Sequence, residues 1–115
     1  MARRRRKSLN QTGAQSASAD ELLLQRARRF RRRGEHRRAM LTLREACFAA
    51  GSDGRLWTLY AAQCLRAGRV GDAESALSQA LWYRRRDHDE ARARVTERLL
   101  EQIRAGRGEL PLRAA

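Results

Sequence analysis

Residues 27–46 read ARRFRRRGEHRRAMLTLREA, and residues 61–80 read AAQCLRAGRVGDAESALSQA. Both stretches carry the pattern Ala-x6-Gly-x4-Ala-x3-Leu-x2-Ala in one register, 34 residues apart. A period of this length indicates stacked units of a few secondary-structure elements each, because every unit must bury its apolar face against the next. The repeat therefore favours surface recognition over chemistry in an enclosed active site.

Apolar residues recur at helical spacing through both units, and no stretch alternates with the period of two typical of strands. Gly34 and Gly68 predict helix ends, since glycine accepts the left-handed conformation that follows a helix. We expect an all-α fold with helices to about 33 and over about 35–50, 55–67, 70–84 and 88–105. The side chains expected on the buried faces are Leu23, Ala27, Phe30, Ala39, Met40, Leu43, Ala46, Cys47, Leu56, Trp57, Tyr60, Ala61, Cys64, Ala73, Leu77, Ala80, Leu81, Ala91, Val95, Leu99 and Ile103.

Two positions offer helix N-caps. The turn Gly51–Gly54, which contains Ser52 and Asp53, lies just before the third expected helix, and Asp87 lies three residues before Glu90. Aspartate is favoured at this position because its carboxylate accepts hydrogen bonds from the free backbone N–H groups of the first turn.

With the helices placed, the spacing resembles the tetratricopeptide repeat, a pair of antiparallel helices that stacks into a right-handed α-solenoid. The resemblance implies one hairpin over 18–53, a second over 54–87 and a solvating helix over 88–105 that caps the stack. It leaves 1–17 as a disordered basic arm and 106–115 as a frayed tail. The chain departs from the family pattern at Arg26, where leucine is usual, and at Gly51 and Arg85, where proline is usual. The alternative is an ordinary pair of helical hairpins whose alanines and glycines coincide by composition.

The charge is large and unevenly placed. The formal net charge is +13, from 26 basic and 13 acidic residues, and residues 1–38 hold 13 of the basic residues with three of the acidic ones. Such a basic region attracts anionic partners: nucleic acid, acidic protein segments or a phospholipid surface. All but one of the basic residues are arginine, the exception being Lys7. Arginine suits bidentate binding of carboxylate or phosphate, but GC-rich, bacterial-like coding sequences also produce this preference.

The sequence offers little for catalysis. Neither His36 nor His88 has a nucleophile placed beside it by the repeat, and Cys47 and Cys64 fall on apolar helix faces, where cysteine behaves as a small hydrophobe. The acids Asp87, Asp89 and Glu90 are expected at a helix start rather than in a metal site. We therefore expect no enzyme activity, no cofactor and no metal. No secretory signal or membrane span is apparent, so a cytoplasmic location with reduced thiols is expected.

By the resemblance, the first helices of both units would line a concave groove that binds an extended, acidic peptide. The residues implied are Leu24, Arg28, Arg31 and Arg32 in the first unit, Arg55, Thr58, Ala62, Leu65 and Arg66 in the second, and Arg92 on the last helix. The carboxylate clamp of chaperone-binding relatives is not supported, because Leu24 and Arg28 stand where that clamp needs lysine and asparagine.

Two functions remain open at this stage. The first is an adaptor module that binds a protein partner in the groove. The second is sequence-nonspecific association with nucleic acid or ribosomes through the first helix and the arm, whose basic residues are Arg3, Arg4, Arg5, Arg6 and Lys7. Neutralising several phosphates would make that binding steeply dependent on salt. A weaker third alternative is docking of the arm on an anionic membrane. The oligomeric state is not predicted.

Overall fold

The computed structural model describes residues 19–106, which form an all-α fold without a strand in that range. Helix α1 covers 19–32, α2 His36–Ala50, α3 Gly54–Arg66, α4 Val70–Arg86 and α5 Glu90–Ala105. Each helix from α2 onwards packs against the next along the chain, giving a repeat-like stack. The arm over 1–17 and all of the tail except its first residue lie outside the described residues.

Three of the four turns use one hydrogen-bond pattern. After α1, the N–H of Glu35 donates to the carbonyl of Phe30 and that of Gly34 to Arg31, at 2.8 and 3.0 Å. The same pair of bonds follows α3 and α4, with Gly68 and His88 in the place of Gly34. This is the Schellman arrangement, which needs a left-handed residue after the helix. The φ angles are 76° at Gly34, 75° at Gly68 and 58° at His88.

One of the two expected N-caps is confirmed and the other is not. In the turn Gly51–Gly54, the carboxylate of Asp53 accepts a hydrogen bond from the N–H of Arg55 at 2.9 Å and caps α3. The expectation for Asp87 is wrong, because this residue ends α4. Asp89 caps α5 instead and accepts from the N–H of Arg92 at 3.3 Å. The Schellman turn explains the shift, since it adds two residues between the end of α4 and the start of α5.

The repeated alanines lie where the helices approach most closely. Ala39, Ala46, Ala73 and Ala80 have no exposed surface, and a larger side chain at such a contact forces the backbones apart. All five side chains expected to be buried on α2 are buried. Of the other expected core residues before α5, Leu23, Phe30, Trp57 and Leu81 are only partly buried. The core therefore follows the predicted faces through the first four helices.

Three of the four residues predicted on the buried face of α5 are exposed, and only Ile103 is buried as predicted. Val95 and Leu99 are 55% and 36% exposed, and Ala91 is also exposed. Steps of four residues carry the predicted stripe through about 120° of the helix, whereas alternating steps of three and four confine the buried side chains to about 80°. This narrower arc packs against α4, and its small members, Ala93 and Thr96, allow close approach. The buried residues of α5 are Ala93, Thr96, Leu100 and Ile103.

Candidate functional site

A furrow of about 160 Å³ runs between α1 and α3, the first helices of the two units. We refer to it as the α1/α3 furrow. Its charged lining consists of four arginines, two from each helix, and all four are among the site residues expected from the sequence. The lining residues are Leu24, Ala27, Arg28, Arg31, Leu43, Arg55, Leu59, Ala62, Gln63 and Arg66.

The repeat explains why these arginines meet. Arg28 and Arg31 lie on one face of α1 because they are three residues apart. Arg55 and Arg66 are eleven residues apart, which is close to three full turns, so they lie on one face of α3. The alanines that bring the hairpins together, Ala27 among them, keep the two faces adjacent. The four arginines are exposed, and the rest of the lining is apolar except for Gln63.

The floor also contains a buried amide that the sequence did not reveal. Gln63 is only 1% exposed, and its Nε2 donates to the backbone carbonyl of His36 at 3.2 Å. The same Nε2 lies 3.1 Å from Nδ1 of His36. These contacts tie α3 to the start of α2 and satisfy a polar group whose burial would otherwise cost free energy. No periodic signal marks Gln63, because the contact joins two turns far apart in the chain.

Four of the expected groove residues lie outside this furrow. Arg32 is exposed about 80° around α1 from Leu24, beyond the furrow rim. Thr58 and Leu65 are absent from the lining, and the hydroxyl of Thr58 donates to the carbonyl of Gly54 at 2.8 Å. Arg92 contacts Asp89 on its own helix at 3.0 Å. The expected groove is therefore narrower than the sequence suggested, and Arg32 is placed outside it.

The furrow arginines have no carboxylate partners within residues 19–106. None of Arg28, Arg31, Arg55 and Arg66 forms an ion pair there. At the N-terminal ends of α1 and α3 the surface continues into a second recess that shares Leu24, Arg28 and Arg55. Its further lining includes the acids Asp20, Glu21 and Asp53. The furrow is therefore basic over most of its length and acidic at one end.

The two thiols are inert by position. Burial, the main cause, raises the pKa of Cys47 to about 12 and that of Cys64 to about 11. A thiol that stays protonated is a poor nucleophile and a poor metal ligand. Across the described range, no group of three or more His, Cys, Asp or Glu side chains is arranged to hold a metal ion.

An aromatic pair lies at the end of α4, on the other side of the repeat from α1. Trp82 is 59% exposed and packs edge-on against Tyr83, with ring centroids 5.4 Å apart. The guanidinium of Arg86 lies 5.6 Å from the centre of the Trp82 ring. The arginines beside it are paired: Arg84 with Asp89, Arg85 with Glu97 and Arg86 with Asp87.

Comparisons with protein-family models, curated proteins and solved structures found no match to this chain. The resemblance to the tetratricopeptide repeat therefore stays a prediction from the sequence. In residues 19–106, no helix combines the length and the apolar character needed to cross a lipid bilayer.

Proposed function

We propose that this chain is a non-enzymatic interaction module of the tetratricopeptide-repeat type, and that its α1/α3 furrow binds an extended acidic segment of a partner protein. The observation that carries the proposal is the convergence of Arg28, Arg31, Arg55 and Arg66 on one furrow without ion-pair partners among the described residues. Such guanidinium groups bind carboxylates through charge-assisted, often bidentate hydrogen bonds.

The furrow floor favours a chain with apolar as well as acidic side chains. Leu24, Leu59 and Ala62 line it together with the buried side chain of Leu43. Apolar contact at the floor stabilises the complex in proportion to the area removed from water, at about 25 cal/mol per Å². An extended peptide that alternates acidic and small apolar residues satisfies both the rim and the floor.

The uneven charge of the furrow also favours one peptide direction. Asp20, Glu21 and Asp53 lie at the N-terminal ends of α1 and α3, whereas Arg31 and Arg66 lie near the C-terminal ends. A peptide whose acidic residues meet the arginines, and whose neutral or basic residues meet the aspartates, avoids like-charge repulsion. Reversing the order of charges in the peptide should weaken binding.

A dye-labelled peptide of about twelve residues with alternating Glu and Ala tests the proposal by fluorescence anisotropy, against a control in which Gln replaces each Glu. We expect the acidic peptide alone to bind, and Arg28→Glu to weaken it about tenfold, which corresponds to about 1.4 kcal/mol. Arg32→Glu is the matched control, because it makes the same charge change on the same helix outside the furrow. Equal losses in the two variants would show that binding follows net charge and not the furrow.

A second candidate is nonspecific nucleic-acid association, and the exposed ring of Trp82 favours it because aromatic faces stack on bases. The pairing of Arg84, Arg85 and Arg86 with carboxylates reduces the charge available beside this ring. The basic residues of the arm, Arg3 to Lys7, lie outside the described range. Retention of nucleic acid on the purified full chain, lost steeply with salt and reduced by Trp82→Ala, would favour this candidate over the adaptor.

A further inference from the structure

A second and larger groove, of about 510 Å³, lies between α2 and α4, the second helices of the two units. We refer to it as the α2/α4 groove. It shares no lining residue with the α1/α3 furrow, so the two surfaces are separate. Its floor comes from α3, through Trp57 and Tyr60. The lining residues are Arg37, Met40, Leu41, Arg44, Phe48, Trp57, Tyr60, Arg69, Asp72, Ser75, Ala76 and Gln79.

Two large apolar side chains of α2 are exposed in this groove. Leu41 is 47% and Phe48 is 66% exposed. The ring of Phe48 packs edge-on against Trp57, with centroids 5.7 Å apart, and Trp57 packs in the same manner against Tyr60 at 6.1 Å. An aromatic ring held against a core residue yet left mostly in water presents an ordered apolar surface. Exposed apolar patches rimmed by polar residues are typical of interaction sites.

The apolar residues alternate with arginines along one face of α2. Arg37, Leu41, Arg44 and Phe48 follow one another at spacings of four, three and four residues, which keeps them on one side of the helix. The guanidinium of Arg44 lies 5.7 Å from the centre of the Phe48 ring. Neither Arg37 nor Arg44 forms an ion pair with any carboxylate between residues 19 and 106. The rim of the groove is therefore positive.

The charges decide which kind of partner fits. Asp72, the acid in the groove lining, already pairs with Arg69 at 3.0 Å. A second copy of this chain would bring a further net charge of +13 to a positive rim, which disfavours self-association. An acidic partner gains from the same rim. A groove between two helices with exposed apolar side chains is the kind of surface that binds the apolar face of a third helix.

We propose that the α2/α4 groove docks an amphipathic helix of a partner protein, one that carries leucine or similar side chains on one face and Asp or Glu along its flanks. The apolar face covers Leu41 and Phe48, and the flanking carboxylates meet Arg37 and Arg44. The indole Nε1 of Trp57 is shielded from solvent without a hydrogen-bond acceptor in the described part of the chain.

The test uses a synthetic helix of about sixteen residues with Leu at every third or fourth position and Glu on the flanks, titrated into the full chain. The readout is the fluorescence of Trp57 in a Trp82→Phe background, which leaves one tryptophan because the chain has two. A matched helix with Lys in place of Glu controls for charge. We expect saturable binding of the Glu helix and at least tenfold weaker binding of the Lys helix.

Variants then place the binding in the groove. Phe48→Ala removes an exposed ring, and we expect the Glu helix to bind at least tenfold more weakly. Arg44→Glu alters charge without removing apolar surface, and it should weaken the Glu helix while strengthening the Lys helix. Arg28→Glu in the α1/α3 furrow is the matched control and should leave the helix affinity unchanged. Circular dichroism confirms that each variant keeps its helical content.

Three outcomes would overturn the proposal. The first is the absence of a saturable change in Trp57 fluorescence with either helix. The second is equal binding of both helices, or binding that neither Phe48→Ala nor Arg44→Glu weakens. The third is a dimer in sedimentation equilibrium that Phe48→Ala dissociates, because this would assign the groove to a second copy of the chain. None of these results bears on the acidic peptide and the α1/α3 furrow, which have their own titration.

Discussion

The arginines of the α1/α3 furrow have no carboxylate partner among the described residues, whereas most of those on α4 and α5 have one. Arg28, Arg31, Arg55 and Arg66 form no ion pair within residues 19–106. Most arginines towards the other end of the stack have carboxylate partners, several of them on a neighbouring helix or turn, whereas Arg94 and Arg98 on α5 form no ion pair within residues 19–106. The contacts of the paired arginines are Arg84 with Asp89 at 3.4 Å, Arg92 with Asp89 at 3.0 Å, Arg104 with Glu74 at 3.3 Å, and Arg85 with Glu97.

The difference teaches that the acids, more than the arginines, determine what each region does. Acidic residues are scarce before Ala39, where Arg38 with Glu35 is the one ion pair among the described residues. From Arg69 onwards acids are more frequent, and most of the described arginines there have a partner. Exposed pairs contribute about 0–1 kcal/mol each to stability, and their main effect is to neutralise charge. The unpaired arginines of the furrow keep their charge for a ligand, while two of the paired ones, Arg85 and Arg104, join α4 to α5.

The largest effect should come from removing α5, which carries Arg92, Arg104 and the acidic partner of Arg85. Deleting residues 87–115 removes α5 and uncovers the flank of α4 against which Leu100 and Ile103 are buried. Burial of two such side chains stabilises by about 3–6 kcal/mol, a large share of the stability of a small domain. We expect the fragment to lose its cooperative thermal transition in calorimetry. The control deletes only 107–115, and a cooperative transition in the shorter fragment would contradict the prediction.

The next effect separates the two sets of arginines by ligand binding. The double variant Arg31→Glu/Arg66→Glu reverses two unpaired charges of the furrow and should weaken the acidic peptide about a hundredfold, or about 2.7 kcal/mol. The matched double variant Arg92→Glu/Arg104→Glu changes the net charge equally but alters paired residues. We expect it to change the peptide affinity less than about threefold at physiological salt, because screening limits distant charges. Titrations by anisotropy measure both, and similar losses would remove the distinction.

An acidic residue introduced into the furrow should form ion pairs with its arginines and so remove the charge that attracts the peptide. Ala62 lines the furrow beside the arginines, so the carboxylate of Ala62→Glu would pair with them. We expect the peptide affinity to fall about tenfold while the unfolding free energy changes by less than about 1 kcal/mol. Ala49→Glu, on an exposed position of α2, is the control for net charge. A tighter peptide complex in Ala62→Glu would show that the furrow does not select acids.

A smaller effect is expected from the left-handed residues of the turns. His88 adopts the left-handed conformation that Gly34 and Gly68 adopt elsewhere, with φ of 58°. This conformation costs a non-glycine residue about 1–2 kcal/mol, whereas glycine costs about 0.5–1 kcal/mol because it loses more chain entropy on folding. We therefore expect His88→Gly to raise the unfolding free energy by about 0.5 kcal/mol in urea denaturation. Gly68→Ala should lower it, and a destabilised His88→Gly would instead reveal a stabilising contact of the imidazole.

The smallest expected effect is on the pH dependence of stability, through Asp89, whose carboxylate pairs with both Arg84 and Arg92. The hydrogen bond from the Arg92 guanidinium, the largest cause, lowers the pKa of Asp89 below its usual value of 3.8. Because the folded pKa is below the unfolded one, this contribution to stability is present above 3.8 and is lost as the pH falls through the folded pKa. Asp89→Asn keeps a capping oxygen but removes the charge. Its unfolding free energy should lie below that of the parent chain at neutral pH, and the gap should close in acid.

The sequence predicted the elements well because the stacking contacts are themselves periodic. The alanines, leucines and glycines of the repeat determine where the first four helices lie, and four of the six expected groove arginines meet as a result. It did not predict the rotation of α5, since that helix offers two apolar stripes and only the partner surface selects between them. It also missed Gln63 and its contact with His36, which a one-dimensional pattern does not mark.

The α2/α4 groove was missed for a related reason. Phe48 follows Cys47 in an apolar stretch, and nothing in the stretch distinguishes a ring that points to water from one in the core. The helix turn carries Cys47 into the interior, at 1% exposed, and leaves Phe48 outside. Membership of the tetratricopeptide family also stays a prediction, because the repeat is short and departs from the family pattern at several positions.

The buried thiols report on local opening of the helices that carry them. Cys47 lies on α2 and Cys64 on α3, with 1% and 0% of their surfaces exposed, so a thiol reagent reaches either one only when its helix opens. The rate of labelling at each cysteine then measures how often that part of the stack separates under native conditions. A ligand bound across α1 and α3 would slow the labelling of Cys64 more than that of Cys47. The two native cysteines therefore show, without an engineered labelling site, which hairpin opens more often.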